Sequence, residues 1–249
     1  MFIHIPKTGG VSFEALLRDI FGESSICPLY LEEEFITSSV SLSDFQVYQG
    51  HISYFIAEVL PKPLEIITIL RDPVVRALSA YEHIKRDVMH PSHKILVEQT
   101  KNLADFSKHP LLRYQISNVQ TKTLGRSISC DSLRELSQIN DTYAATAADF
   151  MRFYRAIDAH NIELENAKQR LRGINFFGIT ERFEESWTRF LSMYGFPDFP
   201  VYRLNQTSTD IVDKRGKYTD EEIAAVRRIN QLDIELYDYA VNLFNVRAQ

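Results

Sequence analysis

The spacing of apolar residues changes repeatedly along the chain, and each change marks an element. Phe2–Ile5 reads as a short buried strand. Phe13, Leu16, Leu17 and Ile20 then return at helical spacing, which predicts a helix over Ser12–Phe21 with Ser12 as N-cap and Glu14 in its first turn. Phe45–Tyr48 reads as a second strand, ending at Gly50-His51. Ile66–Leu70 is the clearest strand, five apolar or β-branched residues set between charges. Asp72-Pro73 stops it and opens a helix through Val75, Leu78 and Tyr81 to about Arg86, with Asp as N-cap and Pro at the first position. Asp87–His93 is polar, contains Pro91 and reads as a surface loop. Leu96–Leu124 is helical in pieces, broken at Pro110, and Ser132–Ile139, Tyr143–Leu171 and Glu184–Tyr194 are further helical segments. Asn175–Gly178 is a short fourth strand, Pro197–Lys217 is loop-rich, and Asp220–Phe244 reads as one long amphipathic helix.

Strands that alternate with helices imply a parallel sheet covered by helices. The expected class is α/β: a central parallel β-sheet flanked by helices in three layers, with a helix-rich C-terminal half. The 249 residues show no linker and no internal repeat, so a single domain over 1–249 is expected. Ligands of such folds sit at the carboxyl ends of the strands. Lys7, His51 and Arg71 all follow predicted strands and so share one edge of the sheet.

Composition narrows the choice of chemistry. With 28 Lys and Arg against 33 Asp and Glu, the net charge is −5. This argues against a general nucleic-acid binder and leaves room for a local basic pocket. Cys27 and Cys130 are the only cysteines. They are too few for a disulfide framework or a cysteine zinc site, and are read as reduced thiols. No basic-then-apolar leader is visible, and no window reaches the ~18 apolar residues that span a bilayer. A cytoplasmic protein is expected, the alternative being a catalytic domain trimmed of an upstream membrane anchor.

The stretch "FIHIPKTGGVSF" (Phe2–Phe13) combines strand, tight loop and helix start. Gly9 and Gly10 let backbone N–H groups approach an anion at the helix N-terminus, Lys7 adds a point charge, and Thr8 and Ser12 add hydroxyls. Two glycines alone make an ordinary turn; the Pro-Lys-Thr before them and the Ser after favour an anion site. The order differs from the Walker A loop, because the lysine precedes the glycines. Asp72 is a helix cap rather than a Mg²⁺ ligand, which disfavours an ordinary kinase or nucleotide hydrolase. In "ITILRDPVVRALSAYEH" (Ile67–His83), Arg71 leaves the strand and Ser79 lies about two helical turns on. An arginine fork and a hydroxyl suit a terminal phosphate. An arginine–carboxylate pair with a solvent-facing serine accounts for the same residues.

Two anion sites far apart in sequence fit a ligand with two separated phosphates. Together the motifs resemble the sulfotransferases that use 3′-phosphoadenosine 5′-phosphosulfate (PAPS), in particular the Golgi carbohydrate branch that includes heparan sulfate 2-O-sulfotransferase. "FIHIPKTGGVSF" resembles that family's 5′-phosphosulfate loop, and "LRDPVVRALSAYEH" its 3′-phosphate strand and helix, with Arg71 and Ser79 as the matching contacts. "NVQTKTLGR" (Asn118–Arg126) and "GITERFEESW" (Gly178–Trp187) are similar to segments of the same branch. The resemblance covers most of the chain, the middle helices matching weakly.

The resemblance implies a P-loop-NTPase-like fold, PAPS as sulfuryl donor, adenosine 3′,5′-bisphosphate as product, and no metal. It implies in-line attack by an acceptor hydroxyl, with Lys7 at the leaving phosphate and Thr8, Gly9, Gly10, Val11 and Ser12 around the 5′ side. That branch carries a catalytic histidine in a similar Gly-His segment, which makes His51 in "YQGHISYF" the candidate base. His83 and Glu14 are alternatives, and a buried structural histidine is the plainer reading of His51. His90 and His93 read as solvated or acceptor-facing. The late loop "YRLNQTSTDIVDKRGKY" is expected to fold over the nucleotide through Arg203, Asn205, Thr207 and Lys217, or to be a solvated surface loop. The expected partner is a carbohydrate or other hydroxyl acceptor, with no nucleic acid and no membrane span. The other readings are an atypical phosphate-loop small-molecule kinase, and a non-catalytic nucleotide- or glycan-binding protein of the same fold.

Overall fold

A computed structural model describes residues 1–128, 155–204 and 216–247. Among these residues one parallel sheet has the order β2-β1-β3-β4, built from β1 (Phe2–Ile3), β2 (Gln49–Gly50), β3 (Ile67–Leu70) and β4 (Phe176–Ile179). Ile3 pairs with Gly50 on one side and Thr68 on the other, and Ile67–Leu70 pairs residue by residue with Phe176–Ile179. The helices are α1 (Gly10–Phe21), α2 (Glu32–Thr37), α3 (Pro73–Arg86), α4 (His93–Gln99), α5 (Leu103–Lys108), α6 (Val119–Gly125), α7 (Asn161–Gly173), α8 (Phe183–Tyr194), α9 (Asp220–Arg228) and α10 (Gln231–Val246).

Side chains alternate along the strands and so divide the core into two layers. Phe2, Ile67, Ile69 and Phe176 share one core with Phe13, Leu16 and Leu17 of α1 and Trp187, Phe190 and Leu191 of α8. Ile3, Leu70, Phe177 and Ile179 share the other with Leu124 of α6, Leu164 and Leu171 of α7, and Leu236, Ala240 and Phe244 of α10. Helix, sheet, helix is the expected three-layer α/β arrangement. A third cluster joins Leu78, Tyr81 and Ile84 of α3 to Leu96, Phe106 and Val226 of α4, α5 and α9.

The turn out of β3 follows the local signals. Asp72 Oδ1 accepts the Val75 N–H at 2.9 Å, and Pro73 occupies the first helical position of α3. Elsewhere the structure differs from the sequence pattern. The second strand pairs at Gln49–Gly50, not Phe45–Tyr48, because the short β1 reaches it only there: the Phe2 N–H donates to Tyr48 O and the His4 N–H to Gly50 O. Val47 contributes an isolated bridge to Ile26. Leu96–Leu124 resolves into the end of α4, then α5 and α6.

The long C-terminal helix is two, broken between Arg228 and Gln231. Asn230 is fully buried at the break, its Nδ2 donating to Val226 O and its Oδ1 accepting the Asn118 N–H. Asp233, also fully buried, accepts the Gln120 and Thr121 N–H groups at 3.1 and 2.7 Å. The start of α6 is thereby capped from α10, which a continuous helix would not place there. No helix of the described residues is long and apolar enough to cross a membrane. Cys27 is free and buried. Cys130, the Ser132–Ile139 segment and the first part of Tyr143–Leu171 lie outside the described residues.

Candidate active site

The chain leaves β1 at Ile5-Pro6 and turns through two left-handed residues, Lys7 (φ 72°) and Gly9 (φ 87°). For lysine that conformation costs on the order of 1–3 kcal/mol and needs outside support. Arg71 supplies it: its Nη1 donates to Lys7 O at 2.9 Å. Thr8 Oγ1 donates to Ile5 O at 2.8 Å, and Thr180 Oγ1 lies 2.6 Å from Thr8 O and 2.9 Å from Leu70 O. The loop is thus tied to the ends of β3 and β4. Gly10 is required sterically, since a Cβ there would lie 2.1 Å from the His4 ring.

Helix α1 begins at Gly10 with Gly9 as N-cap and no side-chain cap, so Ser12 is not the cap expected of it. Ser12 is inside the first turn, and its Oγ accepts the Leu204 N–H at 3.2 Å. A helix start without a side-chain cap presents N–H groups and partial positive charge to whatever lies before it.

A cavity of about 870 Å³ lies before it. Lys7 and Gly9–Ser12 line it together with His51, Arg71 and Ser79. Ser79, 3% exposed, therefore faces the cavity and not solvent. Thr8 is fully buried with its hydroxyl used on Ile5, so only its backbone is near the site. Seven lysines and arginines line the cavity against one acidic residue, Glu32. A quarter of the 28 lysines and arginines of this acidic chain thus line one cavity, which raises the local potential for anions.

Arg71 is 6% exposed and locked at both ends. Its backbone N–H and C=O pair with the Gln120 side chain at 2.9 and 2.8 Å. Its Nε is buried with no hydrogen-bond partner, and Glu181 Oε1 approaches only to 3.9 Å. Glu181 is itself held by the Asp72 N–H and the Tyr237 hydroxyl, at 3.0 and 2.7 Å. The arginine is thus aimed by its surroundings with donor capacity left over.

His51 follows β2, its backbone bridged to Leu31. Its ring packs against those of His4 and Tyr30, with centroids 4.8 and 5.0 Å away. Burial, with the nearby His4, Arg155 and Lys7, pushes its pKa down from 6.5 to about 3. The imidazole is neutral at pH 7 with a lone pair for a proton, and the burial that keeps it neutral also weakens it as a base. The sign for stability follows. Between pH 6.5 and about 3 the unfolded chain binds a proton at His51 that the folded chain does not, so stability falls as pH falls through that window. The unfolding temperature is expected to drop over this range, and to drop less in His51→Gln; equal drops in both proteins by thermal denaturation would show that His51 is not the titrating group.

The alternative bases are placed differently. His83 faces the cavity, its pKa lowered first by burial and then by Lys7. Glu14 is turned away into a buried pair with His4. His90 lines the cavity, whereas His93 donates through Nδ1 to Ile84 O. Arg203 lines the cavity but pairs with Glu184. Lys217 is exposed and away from the cavity. Asn205 and Thr207 lie outside the described residues.

Sequence reasoning missed part of the wall. Val119, Lys122, Thr123 and Arg126 form one face of the "NVQTKTLGR" segment, at spacings of three, one and three, and that face lines the cavity. Lys122 is 7% exposed, donates to Arg155 O at 3.2 Å, and has its pKa lowered to about 8, by burial first and then by Arg126. Arg155 pairs with Glu32 and Glu33 of α2 at 2.9 and 3.1 Å. The helical spacing of the segment was the signal available. Arg155 had none.

A model of the sulfotransferase family matches residues 1–240. Similar proteins include heparan-sulfate 6-O-sulfotransferase 1 of Homo sapiens, 27% identical over 195 residues, covering 76% of this chain and 45% of that protein. Heparan-sulfate 6-O-sulfotransferase 2 of Danio rerio is 29% identical over 202 residues, covering 74% of this chain and 38% of its own length. The chain spans under half the length of these curated relatives. They are 6-O enzymes, beside the 2-O branch that the motifs resemble. With the loop, the Arg71–Ser79 site and the family match over nearly its whole length, the chain belongs to the sulfotransferase family.

Proposed function

We propose that the chain moves the sulfuryl group of PAPS to a hydroxyl of a carbohydrate acceptor. The observation that carries this reading is the meeting of two anion-directed ends in one cavity. The uncapped start of α1 with Lys7 forms one end, and Arg71 with Ser79 the other. A guanidinium at the cavity wall, with Nη1 engaged by the Lys7 carbonyl, fits a ligand that carries a second, separate phosphate. When bound, PAPS supplies a sulfuryl group on a phosphate leaving group.

The chain's own residues then divide the task. The N–H groups of Gly10 and Val11 and the Ser12 hydroxyl hold the 5′ side, and Arg71 and Ser79 the 3′ phosphate. The Lys7 ammonium stabilises the charge that gathers on the leaving oxygen. The neutral His51 imidazole takes the proton of the acceptor hydroxyl. The wall of Lys122, Thr123 and Arg155 offers donors to a hydroxylated, acidic acceptor, and the glycan named in the relatives supports a carbohydrate. The family match disfavours the kinase reading.

The experiment is a pair of measurements in EDTA. Adenosine 3′,5′-bisphosphate at a hundred times its Kd is expected to stabilise the fold by about 2.7 kcal/mol, read as a rise in unfolding temperature. Label from ³⁵S-PAPS is expected to reach at least one member of a panel of hydroxylated glycans. In a parallel run with Mg²⁺ in place of EDTA, stabilisation by ATP and none by the bisphosphate would favour the kinase. Bisphosphate binding with no transfer to any glycan or other hydroxyl acceptor would favour a non-catalytic binder.

A further inference from the structure

One buried pair beside the cavity has no part in the reading above. Glu14, on the inward side of α1 and 8% exposed, places Oε1 2.7 Å from Nδ1 of His4, which is 3% exposed. The Tyr30 hydroxyl lies 3.1 Å from the same nitrogen. Burial and Glu14 raise the Tyr30 pKa, so this hydroxyl keeps its proton. A carboxylate at Nδ1 selects the tautomer that carries the proton there and fixes the plane of the ring. Burying such a pair is costly, so it persists only where its geometry is well supported.

The ring fixed in this way touches two parts of the site. On one side it backs the phosphate loop: a Cβ on residue 10 would lie 2.1 Å from its Cδ2 and 2.4 Å from its Nε2. On the other it meets His51 edge-on, at a centroid distance of 4.8 Å and an interplanar angle of 64°. Tyr30, bound to the same His4 nitrogen, packs on His51 from 5.0 Å. A general base is commonly oriented by a hydrogen bond to its second ring nitrogen. Among the described residues the His51 ring has none, and ring packing is what holds it.

We propose that Glu14 and His4 form a positioning pair for the transfer step: Glu14 fixes the His4 ring, and His4 fixes His51 against the phosphate loop. This rests on the reading of His51 as the base. The titratable and charged groups that face His51 come from several elements, namely His4 after β1, Lys7 in the loop and Arg155 across the cavity, with Glu14 behind His4. A pH profile would mix all of them. A double-mutant cycle isolates the pair's route through His51.

Glu14→Gln keeps the side chain's shape and an acceptor for His4 while removing the charge. In the otherwise intact chain, turnover is expected to fall roughly 10–100-fold, with the KM for PAPS and the unfolding temperature nearly unchanged. On a His51→Ala background the same change is expected to cost nothing further. His4→Asn, which removes the ring that touches both loop and base, gives the same cycle from the other end of the pair. Wild-type turnover in folded Glu14→Gln overturns the proposal, and so does an equal loss on both backgrounds, because the pair would then act without His51. Wild-type turnover in His51→Ala alone is a different failure: it removes the base reading on which the pair depends.

Discussion

Replacing Lys7 by alanine is expected to lower sulfuryl transfer by roughly 10²–10³-fold or more in a chain that still folds. The fold argument rests on the backbone. Lys7 is left-handed, and alanine meets the same strain there without adding to it. The bond from Arg71 Nη1 goes to the Lys7 carbonyl, which alanine keeps. The chemical argument rests on the ammonium. Burial, then Arg86 and Arg71, lower its pKa, so the charge is held at some cost until an anion arrives. In the proposed transfer its attraction is greatest where negative charge concentrates, on the oxygen released from sulfur. Single-turnover transfer from labelled PAPS, with thermal unfolding as the control for folding, measures this. A folded Lys7→Ala protein that transfers at the wild-type rate would remove Lys7 from the mechanism.

His51→Ala is expected to lower turnover roughly 10²–10⁴-fold, the usual contribution of one general base. The affinity for adenosine 3′,5′-bisphosphate is expected to hold, because in the proposed binding mode that ligand engages the loop and the Arg71–Ser79 end. The pKa near 3 leaves the imidazole unprotonated across the neutral range, so the loss is expected at every pH from 6 to 8 in about equal measure. Titration calorimetry with the bisphosphate and steady-state turnover separate the two effects. Collapse of the affinity with turnover per bound complex intact would place His51 in the donor site instead.

What the sequence shows of this molecule depends on how local each signal is. The β3–α3 corner was legible because cap, proline and apolar strand all lie within a few residues. The tight turn from Lys7 to Gly10 was legible because glycines and a lysine are crowded into it. Arg71 and Ser79 needed the fold to bring them to the same cavity, and the resemblance supplied what spacing alone left open. His4 passed as a core residue of an apolar strand, since the partner that gives it a role, Glu14, lies across the loop. Glu14 itself reads from sequence as a first-turn acid and an alternative base, while its side chain bonds inward to His4. Gln120 and Asp233 were invisible for the same reason: each bonds a segment far away in sequence, and neither has a local pattern. The break at Asn230 was hidden by amphipathic spacing that continues on both sides of it. Polar contacts between distant segments leave no periodicity to read, and this site is made mostly of them.

The bond from Arg71 to the Lys7 carbonyl has a consequence for how the protein can change. It joins the residue just after β3 to the strained turn after β1 through a backbone carbonyl, so it constrains position 71 whatever side chain stands at position 7. A substitution at 71 that keeps the charge but loses the guanidinium fork also loosens the turn that carries Lys7. A single change at 71 therefore reaches both ends of the cavity.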